Sequence, residues 1–163
     1  LFGDYNFVKY KFDSSYYRLM PWKTTFQWLG QVGYLMENSD DEVPEFERFH
    51  LGGINSLRGY ETRSIPPEND QGEEVGGYRQ FFSNFEFLFP VEEDLGLLGV
   101  LFFDVGNVWK KGEDLDTDFY KSVGAGVRWY SPLGPLRLEY GYPLDKFDDN
   151  DSGRFEFSVG QFF

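Results

Sequence analysis

Arg58 lies in the stretch Gly52-Gly53-Ile54-Asn55-Ser56-Leu57-Arg58-Gly59-Tyr60, between apolar Leu57 and a glycine. A guanidinium withdrawn from water costs free energy unless carboxylates pair with it. Two carboxylates follow in suitable places: Glu86 in Asn84-Phe85-Glu86-Phe87, and Asp104 in Phe102-Phe103-Asp104-Val105. Each occupies the polar parity of an alternating apolar segment. If those segments are neighbouring strands, ~4.8 Å apart, both carboxylates can reach one arginine. Two plainer readings compete: an Arg58 that points into solvent, and carboxylates that only wet a polar channel.

No other constellation supports chemistry. The chain has no cysteine, so a disulfide framework and cysteine-based zinc sites are excluded. Its one histidine, His50, rules out a multi-histidine metal site and leaves no credible Ser/His/Asp set. Asp148-Asp149-Asn150-Asp151-Ser152-Gly153 imitates the start of a calcium loop, but the twelfth position is Val159 rather than glutamate. A hairpin turn is the expectation there. Gly124-Ala125-Gly126 is followed by Trp129 where a dinucleotide fingerprint needs a small residue, and it lies inside a strand pattern. The chain is not expected to be an enzyme or to need a cofactor or metal.

The elements that position Arg58, Glu86 and Asp104 must be strands. Aromatic residues make up 21% of the 163 residues, yet mean hydropathy is −0.50. No run approaches the roughly 18 apolar residues of a membrane helix. Aromatics without long apolar runs fit strands with one greasy and one polar face, as in transmembrane barrels. Alternation predicts seven strands, over about 5–20, 23–37, 77–91, 97–109, 119–130, 136–142 and 154–163. Leu29 and Leu35 break the pattern in the second. Leu98, Val100 and Phe102 weaken it in the fourth. Trp22, Trp109, Trp129, Tyr130 and Tyr142 lie near strand ends, where aromatic girdles are expected. Residues 38–76 form a long connection of a kind that is usually functional or disordered, with its mobile tip expected at 68–74. Gly52, Gly53 and Gly59 supply the positive-φ freedom it needs.

The net charge of −13 argues against nucleic acid as a partner. The acid gathers at 37–47, 61–74, 113–118 and 145–151, between the apolar segments, and reads as solvated loops. Divalent-cation binding at a cell surface is the lesser alternative.

The spacing from Gly52-Gly53 to Leu57-Arg58-Gly59-Tyr60 resembles the sixth extracellular loop of the outer-membrane barrel-assembly proteins, the BamA/TamA/FhaC superfamily. The resemblance extends over nearly the whole chain. It implies an all-β, antiparallel up-and-down transmembrane barrel, with about seven C-terminal strands of sixteen represented here. The earlier strands and the periplasmic POTRA repeats would be missing, so the chain is expected to be a fragment of an exported protein. The resemblance implies that the loop folds into the barrel and that Arg58 docks on an inner-wall site at Glu86 and Asp104. It also implies a C-terminal strand signal and a lateral gate, carried by Phe155, Phe157, Val159, Gly160 and Phe163. Gly160 is expected to weaken the pairing. The implied role is folding and inserting barrel proteins into the bacterial outer membrane. The implied partners are unfolded barrel clients, accessory lipoproteins, membrane lipid and lipopolysaccharide. Open edge strands are also expected to let the fragment self-associate. The Ser131–Pro135 turn followed by Leu136-Arg137-Leu138-Glu139-Tyr140 leans to the BamA/TamA branch. A TamA-like factor, an FhaC-like secretion transporter and a passive channel or surface antigen are the alternatives.

Overall fold

The computed structural model describes residues 6–38, 42–65, 67, 72, 75–115, 117–132, 134–145 and 152–160. Seven strands form one antiparallel sheet in chain order: β1 (Phe7–Leu19), β2 (Thr25–Glu37), β3 (Arg79–Glu92), β4 (Leu97–Trp109), β5 (Tyr120–Ser131), β6 (Gly134–Pro143) and β7 (Arg154–Val159). The boundaries fall within two residues of those expected, except at the end of β7. The positions of Phe163, of the tip at 68–71 and 73–74, and of most of the calcium-loop mimic lie outside the described residues. Short turns join the strands at one end of the sheet, and the long connections gather at the other. That asymmetry is the one seen in outer-membrane barrels.

The sheet is inside-out relative to a soluble domain. Its apolar face is the exposed one: Phe12, Tyr16, Val32, Leu101, Phe155 and Phe157 are all open. Its polar face is the buried one: Gln27, Gln80, Asn84, Glu86, Asp104, Ser122, Arg128, Arg137 and Glu139 are each almost fully covered. Water-facing sheets show the reverse. Strands of 12 to 14 residues in β1–β5 exceed the 9–11 or so that cross a bilayer when tilted. The exposed aromatic face is therefore the lipid face, and the buried polar face lines a lumen.

The long connection covers that lumen face. A 3₁₀ turn at Glu45–Glu47 leads into two isolated bridges, Phe49 with Gly77 and Leu51 with Ile65. Leu51, Leu57, Ile65 and Phe49 then pack with Leu35, Tyr78 and Val108 of the wall in a small apolar core. Leu35, an exception to the alternation of β2, is buried by this packing. Val100 and Phe102, which blurred the pattern of β4, are likewise buried on the lumen side. Trp109 needs a correction. It was expected in an exposed girdle, but it is buried, with Phe119 set edge-to-face against it at 6.0 Å. Trp22, Trp129, Tyr130 and Tyr142 are exposed.

Among the described residues, β1 and β7 do not pair with each other, so each keeps one unpaired edge. Unpaired strand edges in lipid are costly and are ready templates for another strand. The 163-residue chain alone in detergent should therefore appear as a dimer in native mass spectrometry. A monomer with full β-signal in circular dichroism would mean that the two edges satisfy themselves in another way.

Candidate functional site

Glycine geometry sets the loop first. Gly52 and Gly53 have φ of 110° and 89°. The Gly53 amide donates to Leu57 O at 3.0 Å, and the Ser56 amide donates to Gly53 O at 3.0 Å. The Ser56 hydroxyl bridges back, accepting from the Gly52 amide at 3.0 Å. This closed turn aims Leu57 and Arg58 at the barrel wall. Leu57 and Arg58 are both almost wholly buried.

Gly59 lets the loop backbone touch the wall. Its φ is 89°, and a Cβ there would lie 2.7 Å from the carbonyl carbon of Gly141 in β6. The constraint is mutual, because a Cβ on Gly141 would lie 2.7 Å from the carbonyl carbon of Arg58 and would also crowd the Gly59 amide. Two glycines face each other where main chain meets main chain. Tyr60 then anchors the far side: its hydroxyl lies 2.8 Å from Lys121 O and 2.7 Å from Asp145 O.

Arg58 is bound on every nitrogen. Asp104 takes it bidentately, at 2.7 Å from Nε and 2.6 Å from Nη2. The same carboxylate accepts the Arg58 backbone amide at 3.1 Å. Nη1 donates to Glu86 at 2.6 Å and to Glu139 at 2.8 Å. The guanidinium carbon lies 3.6 Å from the centroid of the Phe102 ring, a cation–π contact. Burial opposes the charge on Arg58, but Asp104, and then Glu86 and Glu139, outweigh it and hold the guanidinium protonated far above its ordinary range.

Two further arginines complete the cluster. Arg128 in β5 grips Glu86 at 2.8 and 2.7 Å and Glu139 at 2.9 Å. Arg137 in β6 forms an ion pair with Glu139 at 2.9 Å and donates to Ile54 O of the loop at 2.7 Å. Three arginines face three carboxylates, so the cluster is neutral. Arg128 sits directly across from Arg137 in the β5–β6 register. Like charges so placed repel, and Glu139 lies between them and binds both.

The structure thus brings Arg58, Glu86 and Asp104 together. Glu139, Arg128 and Arg137 complete the site and were absent from the sequence-based set. Their signal was present in the sequence: Arg128, Arg137 and Glu139 share the polar parity of β5 and β6. What the sequence did not reveal is that Arg58 draws carboxylates from three strands rather than two. Phe155, Phe157 and Val159 are exposed on the lipid face of β7, away from the charge cluster. Gly160 follows β7 with a φ of 100°, and its amide donates to Pro135 O at 2.8 Å.

The Omp85 superfamily domain matches residues 1–163. The chain belongs to the Omp85 superfamily. It is 42% identical over 99% of its length to the outer membrane protein assembly factor BamA of Nitratidesulfovibrio vulgaris, of which it covers 21%. It is 32% identical over 75% of its length to the protein of the same name from Neisseria meningitidis serogroup B, covering 19% of it. The chain therefore spans about a fifth of the curated relatives it matches. A crystal structure of BamA from Haemophilus ducreyi lacking POTRA domains 1–3 superposes with a TM-score of 0.81 at 24% identity, covering 96% of this chain and 35% of that one. The open seven-stranded sheet is thus a section of an Omp85 barrel, and the charge cluster lies on its inner wall.

Glu139 should be the costliest single loss in this Omp85 domain. Glu139→Ala leaves three buried guanidiniums with two carboxylates, and removal of one partner from a buried ion pair costs about 3–5 kcal/mol. Arg58→Lys keeps the charge but loses the forked geometry that binds Asp104 bidentately. In the full-length protein both should lower the temperature at which the compact, fast-migrating band disappears in cold-lysed gels, Glu139→Ala by more. Equal band stability in native and Glu139→Ala protein would show that the cluster is energetically idle.

Gly59→Ala tests the close approach separately. It combines a left-handed backbone penalty of about 1–2 kcal/mol with overpacking of about 1–3 kcal/mol. Gly141→Ala adds the clash alone. Trypsin cleavage after Arg63 should accelerate in both variants, more in Gly59→Ala. Unchanged cleavage in both would mean that the loop does not need the contact.

Proposed function

We propose that this chain is the C-terminal barrel portion of an outer-membrane protein assembly factor, in a longer protein that also carries the remaining strands and POTRA repeats. It works in the bacterial outer membrane, folding barrel proteins and inserting them. The observation that carries this reading is the Arg58 cluster: a fully paired buried arginine holds a loop inside the lumen, in a chain 42% identical to a protein named for that assembly activity. A passive channel gains nothing from plugging its own lumen with a loop whose arginine is tied to three strands.

The mechanism needs no enzyme chemistry, cofactor or metal. The client supplies the driving force, because its strands gain hydrogen bonds and lipid burial as they leave water. What this domain offers is an edge. Among the described residues the outer side of β7 pairs with no strand, and an incoming strand could add there by backbone pairing once the neighbouring strand of the complete barrel moves aside. Phe155, Phe157 and Val159 keep that strand in the lipid layer, beside the site where a lateral gate would open. Gly160 follows the last regular pair of β7 with positive φ, while its amide still bonds Pro135 O of β6 at 2.8 Å. The partners are unfolded barrel clients, with accessory lipoproteins, membrane lipid and lipopolysaccharide in supporting roles. The locked loop gives the lumen wall the rigidity that a templating edge requires.

The test is insertion of a urea-unfolded barrel client into liposomes that contain the full-length protein. Native protein should speed insertion over empty liposomes. Arg58→Ala should slow it by about tenfold or more, since the interaction removed exceeds about 1.4 kcal/mol. Insertion no faster than in empty liposomes would sink the assembly reading. Native-like insertion by Arg58→Ala would leave the assembly reading intact and remove the lock from it.

A further inference from the structure

We infer that Glu156 is a positioning residue that couples the docked loop to the last strand, so that loop docking and β6–β7 pairing form one equilibrium. Among the described residues β7 spans six residues and pairs with β6 alone. Its lipid-face residues, Phe155, Phe157 and Val159, are exposed. The opposite face does engage the loop. Glu156 Oε1 accepts the Gly59 amide at 2.9 Å. Two residues earlier, Arg154 Nη2 lies 3.4 Å from Glu61 Oε2. As β7 runs from 154 to 156, the loop runs from 61 to 59. Two consecutive same-face positions of the strand therefore read two alternate positions of the loop, in antiparallel sense.

The register explains why this contact matters. Glu156 stands directly opposite Glu139. Like charges so placed weaken strand pairing. With the loop docked, Arg58 binds Glu139 at 2.8 Å and the Gly59 amide binds Glu156. The two carboxylates that would repel are held by consecutive residues of the same loop. If the loop withdraws, Glu139 loses one of its cations and Glu156 loses its donor. The other oxygen of Glu156, Oε2, is buried with no hydrogen-bond partner among the described residues, so the carboxylate relies on the loop amide. Withdrawal then loosens the strand whose free edge is the proposed site of client addition. That last step rests on the assembly reading given above; the coupling itself does not.

The experiment is hydrogen–deuterium exchange on the full-length protein in lipid nanodiscs, followed in peptides covering 58–61 and 154–159. Glu156→Ala should speed exchange in both segments together, by about tenfold or more, as expected when a hydrogen bond to a charged group is lost. Glu156→Gln keeps an acceptor oxygen for the Gly59 amide and should stay within about twofold of native. If β7 exchange does not move in Glu156→Ala, or if Glu156→Gln is as loose as Glu156→Ala, the inference is overturned. Should Glu156→Ala yield no folded protein, Arg154→Ala removes only a half-exposed contact, and it should raise exchange in both segments by about twofold. A rise in one segment alone would overturn the coupling. Client insertion measured on the same samples separates the two ideas. Coupled loosening with unchanged insertion supports the coupling and removes β7 from the assembly reading. Normal assembly with uncoupled exchange does the reverse.

Discussion

Everything on the lumen side of this domain depends on where the charge of Arg58 can go. A guanidinium buried behind a β-wall has no water to solvate it, and an unpaired one would not stay there. The structure answers with acidic partners from three strands: Glu86 in β3, Asp104 in β4 and Glu139 in β6. Those acids in turn need cations. Arg128 from β5 supplies one and Arg137 from β6 another. The cluster is neutral only as a set, so each member is held in place by the cost of leaving any other unpaired. Such clusters are poor sources of net stability compared with apolar packing. Their value lies in specificity, because only one loop position satisfies all six groups.

That specificity extends to strand register. Shifting a strand by one residue would turn its lumen set toward lipid. For β3 through β6 that shift would place Glu86, Asp104, Arg128 or Glu139 against hydrocarbon, at a cost of up to several kcal/mol. The Arg58 cluster therefore pins the alignment of four consecutive strands as well as one loop. The apolar core around Leu51, Leu57 and Ile65 adds adhesion but little selectivity, since its contacts tolerate sliding far better than forked hydrogen bonds do.

How much of this was legible in the sequence follows from the same physics. Period-two alternation exposed all seven strands, because a barrel wall has one greasy and one polar face along its length. Parity and strand spacing put Glu86 and Asp104 within reach of one arginine, and the family resemblance pointed to Arg58 as that arginine. Its breakdowns were informative. Leu35, Val100 and Phe102 violated alternation because they face a lumen filled by protein rather than water, which no local pattern encodes. Trp109 read as a girdle residue because strand-end aromatics usually are; Phe119 from the neighbouring connection covers it instead. Glu139 shares the polar parity of β6 with Arg137, but that parity alone does not mark it as an Arg58 ligand. The reach of Arg58 to β3, β4 and β6 together is a property of barrel curvature, and spacing along the chain does not carry it.

The wall also grips the loop through its main chain. Asn84 Nδ2 donates to Ser56 O at 2.6 Å, Arg137 to Ile54 O, Asp104 accepts the Arg58 amide and Glu156 accepts the Gly59 amide. Four wall side chains read four backbone groups within six residues, and Arg58 is the only side chain among them read by charge. Recognition of that kind selects the path of the chain before its composition. It explains why glycine stands at Gly52, Gly53 and Gly59, where the path needs φ values that other residues resist, and why Gly141 stands where the path presses on the wall. It also implies that Ile54 and Asn55 are constrained less by what they are than by the turn they occupy. A loop read by its backbone docks in one shape or not at all.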